Sequence, residues 1–197
     1  MRPLDPAAPR RIMVRATNWV GDAVMTLPAL QALAGACPQA EVTVLAKPWV
    51  APVYAAAASR PKVMLLDAKG VHQGLGGRLR LAKELRSAGF DWAVLLQNAF
   101  EAGFIAWRAR IPVRVGYASD GRGPLLTHGV KRTPAVRQVH ETSYYLHMLH
   151  GAGLLDEKPL PQGVRPELRL PEDDEKWADE FLAGRGLQGA RLLGLAP

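Results

Sequence analysis

Strand-like apolar runs alternate with helical segments along most of this 197-residue chain. Helical periodicity, with apolar residues recurring every three or four positions, separates the runs. The runs themselves are RIMVRA (11–16), EVTVLA (41–46), KVMLLD (62–67), DWAVLLQ (91–97) and VRVGY (113–117). Near-continuous apolar strands that alternate with helices are typical of a sheet covered on both faces, so the pattern predicts an α/β fold with a mainly parallel sheet.

Composition narrows the classes of protein to which the chain can belong. With 48% apolar and 22% charged residues, it has an ordinary globular composition. Its single cysteine, Cys37, excludes an intramolecular disulfide and a zinc site built from several thiolates. No apolar run reaches the roughly 18 residues of a membrane span, and the first residues lack the apolar stretch of a secretory signal. We therefore expect a cytoplasmic protein.

The formal charge of +7 is unevenly distributed. Residues 101–140 are rich in arginine and lysine, whereas residues 156–180 are mainly acidic. An anionic partner that docks near the middle of the chain fits this asymmetry, and so does a solvated surface of mixed sign. Because the basic residues lack the interleaved aromatic residues of a stacking platform, nucleic acid is not expected as a partner.

The loop TNWVGD, between the first apolar run and its helix, is the strongest candidate site, because parallel sheets bind ligands at the carboxyl ends of their strands. Gly21 permits a tight turn with a positive φ. Asp22 has two open interpretations: an N-cap of the helix, or a carboxylate that takes a proton from a sugar hydroxyl. One glycine in this loop is too few for a dinucleotide fingerprint, which disfavours a nucleotide-dependent oxidoreductase. The glycines of GLGG (74–77) match no phosphate-loop spacing and indicate a flexible connection.

Further candidate ligand-binding residues follow the later strands. Asn98 follows the fourth run, with helix capping as the alternative, and Arg122 lies in the turn after the fifth, where nothing requires a guanidinium. His140 and Glu141 lie at the start of a predicted helix over residues 138–150. No metal site is expected, because His147 and His150 have no cysteine or carboxylate placed to complete a ligand set.

Several segments together resemble the ADP-heptose:lipopolysaccharide heptosyltransferases of glycosyltransferase family 9. They are RIMVRATNWVGDAVMTLPALQAL, VTVLAKPWVAPVY, LLQNAFEAGFIAWRARIPVRVGYASDGRGPLLTH and HETSYYLHML. The resemblance runs from about residue 10 to the end of the chain. NWVGD followed by LPAL is similar to the type II branch of that family.

The resemblance implies a Rossmann-like domain with a mainly parallel sheet, as the N-terminal half of a GT-B glycosyltransferase. It implies inverting transfer from ADP-L-glycero-D-manno-heptose to the first heptose of a phosphorylated Kdo–lipid A acceptor at the inner face of the cytoplasmic membrane, with no obligatory cofactor. Asp22 matches the family's proposed general base. The residues expected to contact the acceptor are Asn18, Trp19, Gly21, Asn98, Arg122, His140 and Glu141.

Domain organisation follows from the same resemblance. We expect a flexible N-terminus over 1–10 and an acceptor-binding domain over 11–170. Over 171–197 we expect a linker helix and the first strand, within ARLLGLAP, of a nucleotide-sugar domain that the chain does not contain and that would hold most of the donor. The isolated chain is then expected to be inactive. The alternative is a non-catalytic α/β module that binds an anionic glycolipid or another acidic partner.

Overall fold

A six-stranded, fully parallel sheet forms the centre of the protein in the computed structural model, which describes residues 4–155 and 165–194. The strand order is β3-β2-β1-β4-β5-β6. The strands are β1 (Arg11–Arg15), β2 (Glu41–Ala46), β3 (Lys62–Leu65), β4 (Trp92–Leu95), β5 (Val113–Tyr117) and β6 (His128–Val130). The predicted α/β class with a parallel sheet is confirmed, and β6 is a short edge strand that the sequence pattern did not predict.

Six α-helices accompany the sheet in the described part of the chain. They are α1 (Val20–Ala36), α2 (Ala51–Ala55), α3 (Gly74–Ala88), α4 (Phe100–Arg108), α5 (Glu141–Gly151) and α6 (Glu172–Ala183). None of the helices in these residues is long and apolar enough to cross a membrane.

Two apolar layers cover the faces of the sheet. Alternating strand residues point to opposite faces, so Ile12 and Val14 pack with α1, α2 and α5, whereas Met13 packs with α3 and α4. All three side chains are buried. The two layers together bury β4 and all of β1 except Arg11, and β1 and β4 pair so that Arg15 lies opposite Leu95 at their carboxyl ends.

The glycines of GLGG belong to α3 rather than to a flexible connection. The helix begins at Gly74, which has a φ of +65°, and Gly77 lies against the backbone of the preceding turn. A Cβ at Gly77 would lie 2.2 Å from the carbonyl carbon of His72. Close packing of the loop on the helix, and not flexibility, therefore requires glycine at Gly77.

The ends of the chain bear on the expected domain boundaries. The described part of the N-terminus contacts the body, since Gln39 Nε2 donates to the Pro6 carbonyl at 2.8 Å. Leu168 forms an antiparallel bridge with Ala57, and α6 follows it with no buried residue. The expected strand within ARLLGLAP is not formed over 191–194, and its last three residues lie outside the described part.

Candidate active site

A cavity of about 360 Å³ lies at the carboxyl ends of β1 and β4. The chain leaves β1 toward β2 on one side and leaves β4 toward β5 on the other, so the cavity occupies the point where the strand order reverses. Open α/β sheets bind their ligands at this point. The lining residues come from the loops after both strands, from α5 and from the segment before α5: Thr17, Asn18, Trp19, Asp22, Leu96, Gln97, Asn98, Arg132, Glu141, Tyr144 and Tyr145.

Asp22 is the third residue of α1 and its exposed carboxylate faces this cavity. The capping interpretation is wrong, because Trp19 occupies the N-cap position and no side-chain capping bond is present. Among residues 4–155 and 165–194, no hydrogen bond or ion pair engages the Asp22 carboxylate. It lies in the first turn of α1. A free carboxylate at a cavity wall can accept a proton from a bound hydroxyl.

The loop before Asp22 is held by one side chain from the turn after β2 and one from the end of β1. The Trp49 indole donates to the Asn18 carbonyl at 2.9 Å, and Arg15 reaches the Asn18 side-chain oxygen at 3.4 Å. Trp19 is 74% exposed at the cavity rim. Gly21 does not adopt the positive φ that we expected, and it has open space where a Cβ would lie. Neither the backbone conformation nor the surrounding space therefore requires glycine at position 21.

Asn98 is fixed on both sides of its amide group. Its Nδ2 donates to Tyr144 Oη at 2.5 Å, and its Oδ1 accepts from Arg122 Nη2 at 2.9 Å. The helix-capping alternative is wrong here too, since the N-cap of α4 is Ala99. The amide links the loop after β4 to α5 and lines the cavity with a defined orientation.

Arg122 lies in the core and not at the surface, which corrects its predicted contact with the acceptor. Its side chain is fully buried, and its guanidinium donates to the carbonyls of Tyr117 (2.8 Å) and Gln97 as well as to Asn98. Gly116 makes room for it, because a Cβ there would lie 3.1 Å from Nη2. Burial lowers the pKa of Arg122 to about 10, so the group stays charged at neutral pH. Arg122 therefore influences the cavity indirectly, because it holds the Asn98 amide and the residues that follow β4 and end β5.

A second buried guanidinium lies under the other loop. Arg15, at the end of β1, is 4% exposed and donates to the Ala16 carbonyl at 2.6 Å. Burial also lowers its pKa to about 10. In the described residues no carboxylate forms an ion pair with Arg15 or Arg122. Glu101 and Asp120 act on these two guanidinium groups only through longer-range electrostatics, so two buried positive charges without an ion-pair partner favour an anionic ligand in the cavity.

Another wall of the cavity comes from α5, which packs against α1, and from the segment before α5. The Arg132 guanidinium lies 5.6 Å from the centre of the Tyr144 ring, and its buried Nε has no hydrogen-bond partner among the described residues. Burial raises the pKa of Tyr145, with smaller contributions from the charges of Glu141 and Asp22. The phenol is therefore neutral and able to donate a hydrogen bond.

Arg132 also belongs to a neighbouring depression of about 510 Å³. Lys131 and Arg137 line this depression together with Asp120 and Ser119. Three cations thus extend from the cavity along the surface, which gives an elongated ligand with several negative charges a continuous binding surface.

His140 does not line the cavity. It is the N-cap of α5, where its Nδ1 accepts from the Thr142 amide at 3.3 Å. Glu141, the next residue, does line it. The sequence pattern missed Arg15, Arg132, Tyr144 and Tyr145 as site residues. An arginine that ends an otherwise apolar strand was the available signal for Arg15, whereas Arg132 belongs to no recognisable motif.

Comparisons with known proteins identify the class. The profile of Glycosyltransferase family 9 (heptosyltransferase) matches residues 78–189. Lipopolysaccharide heptosyltransferase 2 of Salmonella typhimurium is 30% identical over 168 residues, which are 84% of this chain and 48% of that protein. The chain thus belongs to glycosyltransferase family 9.

Solved structures share its fold. A family 9 glycosyltransferase from Veillonella parvula superposes with a TM-score of 0.78 at 23% identity, over 94% of this chain and 52% of that one. ADP-heptose lipopolysaccharide heptosyltransferase II of Escherichia coli superposes with a TM-score of 0.69 at 22% identity. This superposition covers 88% of this chain and 50% of the E. coli chain. The chain therefore spans about half the length of each of these three proteins.

Proposed function

We propose that the protein carrying this chain transfers a heptosyl group from ADP-L-glycero-D-manno-heptose to the first heptose of the lipopolysaccharide inner core, with inversion at the anomeric carbon. The observation that carries the proposal is the unpaired, exposed carboxylate of Asp22 at the cavity where the strand order reverses. Membership of family 9 supports the reaction class, and the relatives named heptosyltransferase 2 support the choice of donor and acceptor.

In this mechanism Asp22 acts as the general base. The acceptor hydroxyl oxygen attacks the anomeric carbon of the donor while the bond from that carbon to the diphosphate oxygen breaks and ADP leaves. The hydroxyl proton passes to the Asp22 carboxylate as the new glycosidic bond forms. Attack opposite the leaving group accounts for inversion. The proton transfer is assigned to the Asp22 carboxylate alone, and the proposal includes no metal or other cofactor.

The acceptor's negative groups are assigned to Arg132, Lys131 and Arg137. These cations line the cavity and the adjoining depression, whereas the guanidinium of Arg122 is enclosed. Asn18 and Asn98, each oriented by a buried arginine, supply amide groups toward sugar hydroxyls. Trp19 and Glu141 complete the rim around Asp22.

The domain assignment is part of the proposal. Residues 11–170 form the acceptor-binding domain, and α6 with the residues after it leads toward a nucleotide-sugar domain that holds most of the donor. The relatives are about twice as long as this chain, which supports a second domain in the complete protein. The isolated chain then binds acceptor but does not turn over.

The experiment combines the complete protein with ADP-heptose and phosphorylated core oligosaccharide, and measures product by mass and anomeric configuration by NMR. We expect one added heptose with inverted configuration, and no product from the isolated 197-residue chain. Turnover by the isolated chain would contradict the domain assignment. Acceptor binding by the complete protein without any transfer would instead favour the non-catalytic binding module.

A further inference from the structure

Helices α3 and α4 cover the face of the sheet opposite to α5. Their outer surface combines exposed cations with exposed apolar side chains. The two helices pack side by side, and Arg78 of α3 forms an ion pair with Glu101 of α4 at 3.0 Å. Between them runs a groove of about 220 Å³. Its lining residues are Leu79, Ala82, Lys83, Arg86 and Arg108.

The charge of this groove is positive and uncompensated. Lys83, Arg86 and Arg108 are exposed, and within the described ranges no acidic side chain pairs with any of them. The two acids on these helices are already engaged: Glu84 contacts His72 at 3.1 Å, and Glu101 pairs with Arg78. Three free cations around one concave surface form a binding site for the phosphate of an anionic ligand.

Large exposed apolar side chains lie on the same two helices. Leu75 is 65% exposed on α3, and Phe100 and Trp107 are about half exposed on α4. The rings of Phe100, Phe104 and Trp107 follow one another along α4 with centroid distances of 6.3 and 6.1 Å. Exposed aliphatic and aromatic groups interleaved with arginine and lysine are typical of surfaces that lie in the headgroup region of a bilayer.

We propose that this α3–α4 face, formed by Leu75, Leu79, Lys83, Arg86, Phe100, Trp107 and Arg108, docks on a bilayer of anionic phospholipid. The cations contact headgroup phosphates, while the leucines and rings enter the boundary with the acyl chains. A nucleic acid would use the charges and the rings but would leave Leu75 and Leu79 in contact with polar backbone, so the aliphatic groups favour a lipid surface.

Docking on this face also orients the cavity. Both helices begin at the carboxyl edge of the sheet, and Asn98 in the cavity precedes Phe100 by two positions. Leu75 and Phe100, in the first turns of the two helices, therefore form the end of the docked face nearer the cavity, whereas Lys83, Arg86 and Arg108 lie toward the opposite end. A lipid-linked acceptor reaches the cavity from the apolar end of this face. This last step rests on the proposed function, whereas bilayer binding itself does not.

The test is co-sedimentation of the complete protein with vesicles of phosphatidylcholine and phosphatidylglycerol in equal parts, and with vesicles of phosphatidylcholine alone. We expect binding to the anionic vesicles that weakens with salt. The triple variant Lys83→Gln, Arg86→Gln, Arg108→Gln should bind about 100-fold more weakly, at roughly fivefold per cation. The matched control, Arg10→Gln, Arg165→Gln, Arg191→Gln, removes three exposed cations elsewhere that form no ion pair within the described residues. This control should keep more than half of the wild-type vesicle binding.

Two further measurements make the proposal falsifiable. Trp107→Ser, which leaves every charge in place, should also weaken vesicle binding, because the aromatic anchor is lost. Equal vesicle binding by the wild type and the triple variant would overturn the proposal, and so would binding to a DNA duplex as tight as binding to the anionic vesicles. Transfer to a delipidated acceptor should be unchanged in the triple variant. Loss of vesicle binding with normal transfer supports this inference, whereas absence of transfer in the wild type contradicts only the proposed function.

Discussion

Arg122→Met tests whether a buried guanidinium holds the ends of β4 and β5 and the Asn98 amide in place. The wild-type group donates to Tyr117 O, Gln97 O and Asn98 Oδ1. Hydrogen bonds from a charged group each contribute about 1.5–3 kcal/mol to stability. Methionine fills a similar volume but leaves those three oxygen atoms without their donor.

The loss is partly offset, because methionine does not require the burial of a charge, which costs several kcal/mol. We therefore expect the free energy of unfolding to fall by about 2–4 kcal/mol. For a chain of this length that corresponds to a Tm lower by roughly 5–15 °C. Thermal unfolding followed by far-UV circular dichroism measures it directly.

The matched control is Arg137→Met, since Arg137 is exposed and its side chain contacts none of the described residues through a hydrogen bond or ion pair. Its Tm should stay within about 2 °C of the wild type. Arg122→Lys keeps the charge but loses the planar fork, so it should recover only part of the stability. If Arg122→Met unfolds at the wild-type temperature, the reasoning about the buried guanidinium is refuted.

Two further predictions concern packing and pH. Gly77→Ala should lower the free energy of unfolding, measured by urea denaturation, by about 1–3 kcal/mol, because the new Cβ meets the His72 backbone. Gly76→Ala has open space for its Cβ and should raise that free energy by up to about 1 kcal/mol. Equal changes in the two variants would contradict the packing argument. Burial raises the pKa of Tyr54, Tyr117, Tyr144 and Tyr145 in the folded protein. The stability that depends on their neutral phenols is therefore fully present below the ordinary tyrosine pKa of about 10, and it is lost as the pH rises through the higher pKa values of the folded state. In an alkaline titration, the phenolate absorbance of these four tyrosines should therefore appear only when the protein unfolds. Their phenolate absorbance in the folded protein near pH 10 would contradict the burial of these phenols.

The sheet was predictable because its central strands are apolar on both faces. Runs such as RIMVRA and DWAVLLQ carry that signal in a few consecutive residues, and the helices between them carry the complementary period. β6 carries no such signal, since its three residues are only partly buried at the sheet edge. A short edge strand is defined by its neighbour, β5, rather than by its own sequence.

The sequence predicted the site residues whose location follows from their position at the end of a strand. It did not predict the direction in which a long side chain extends from such a position. Asp22, Asn18 and Asn98 follow strands β1 and β4, so the parallel topology alone brings them to one cavity. Arg122 follows β5 in the same way, yet its side chain turns into the core beside Gly116. The sequence pattern predicts the turn at Arg122 but not the inward space that Gly116 of β5 leaves for its guanidinium.

The most direct test of the account is kcat for heptosyl transfer by the complete protein with Asp22→Asn. A general base contributes about 10²–10⁴ to the rate, so kcat should fall at least 100-fold. The Tm should not change, because the carboxylate makes no hydrogen bond in the described structure. Asp174→Asn, at the same third position of the exposed helix α6, should leave both quantities unaltered. A kcat for Asp22→Asn within a few-fold of the wild type would contradict the assignment of Asp22 as the proton acceptor.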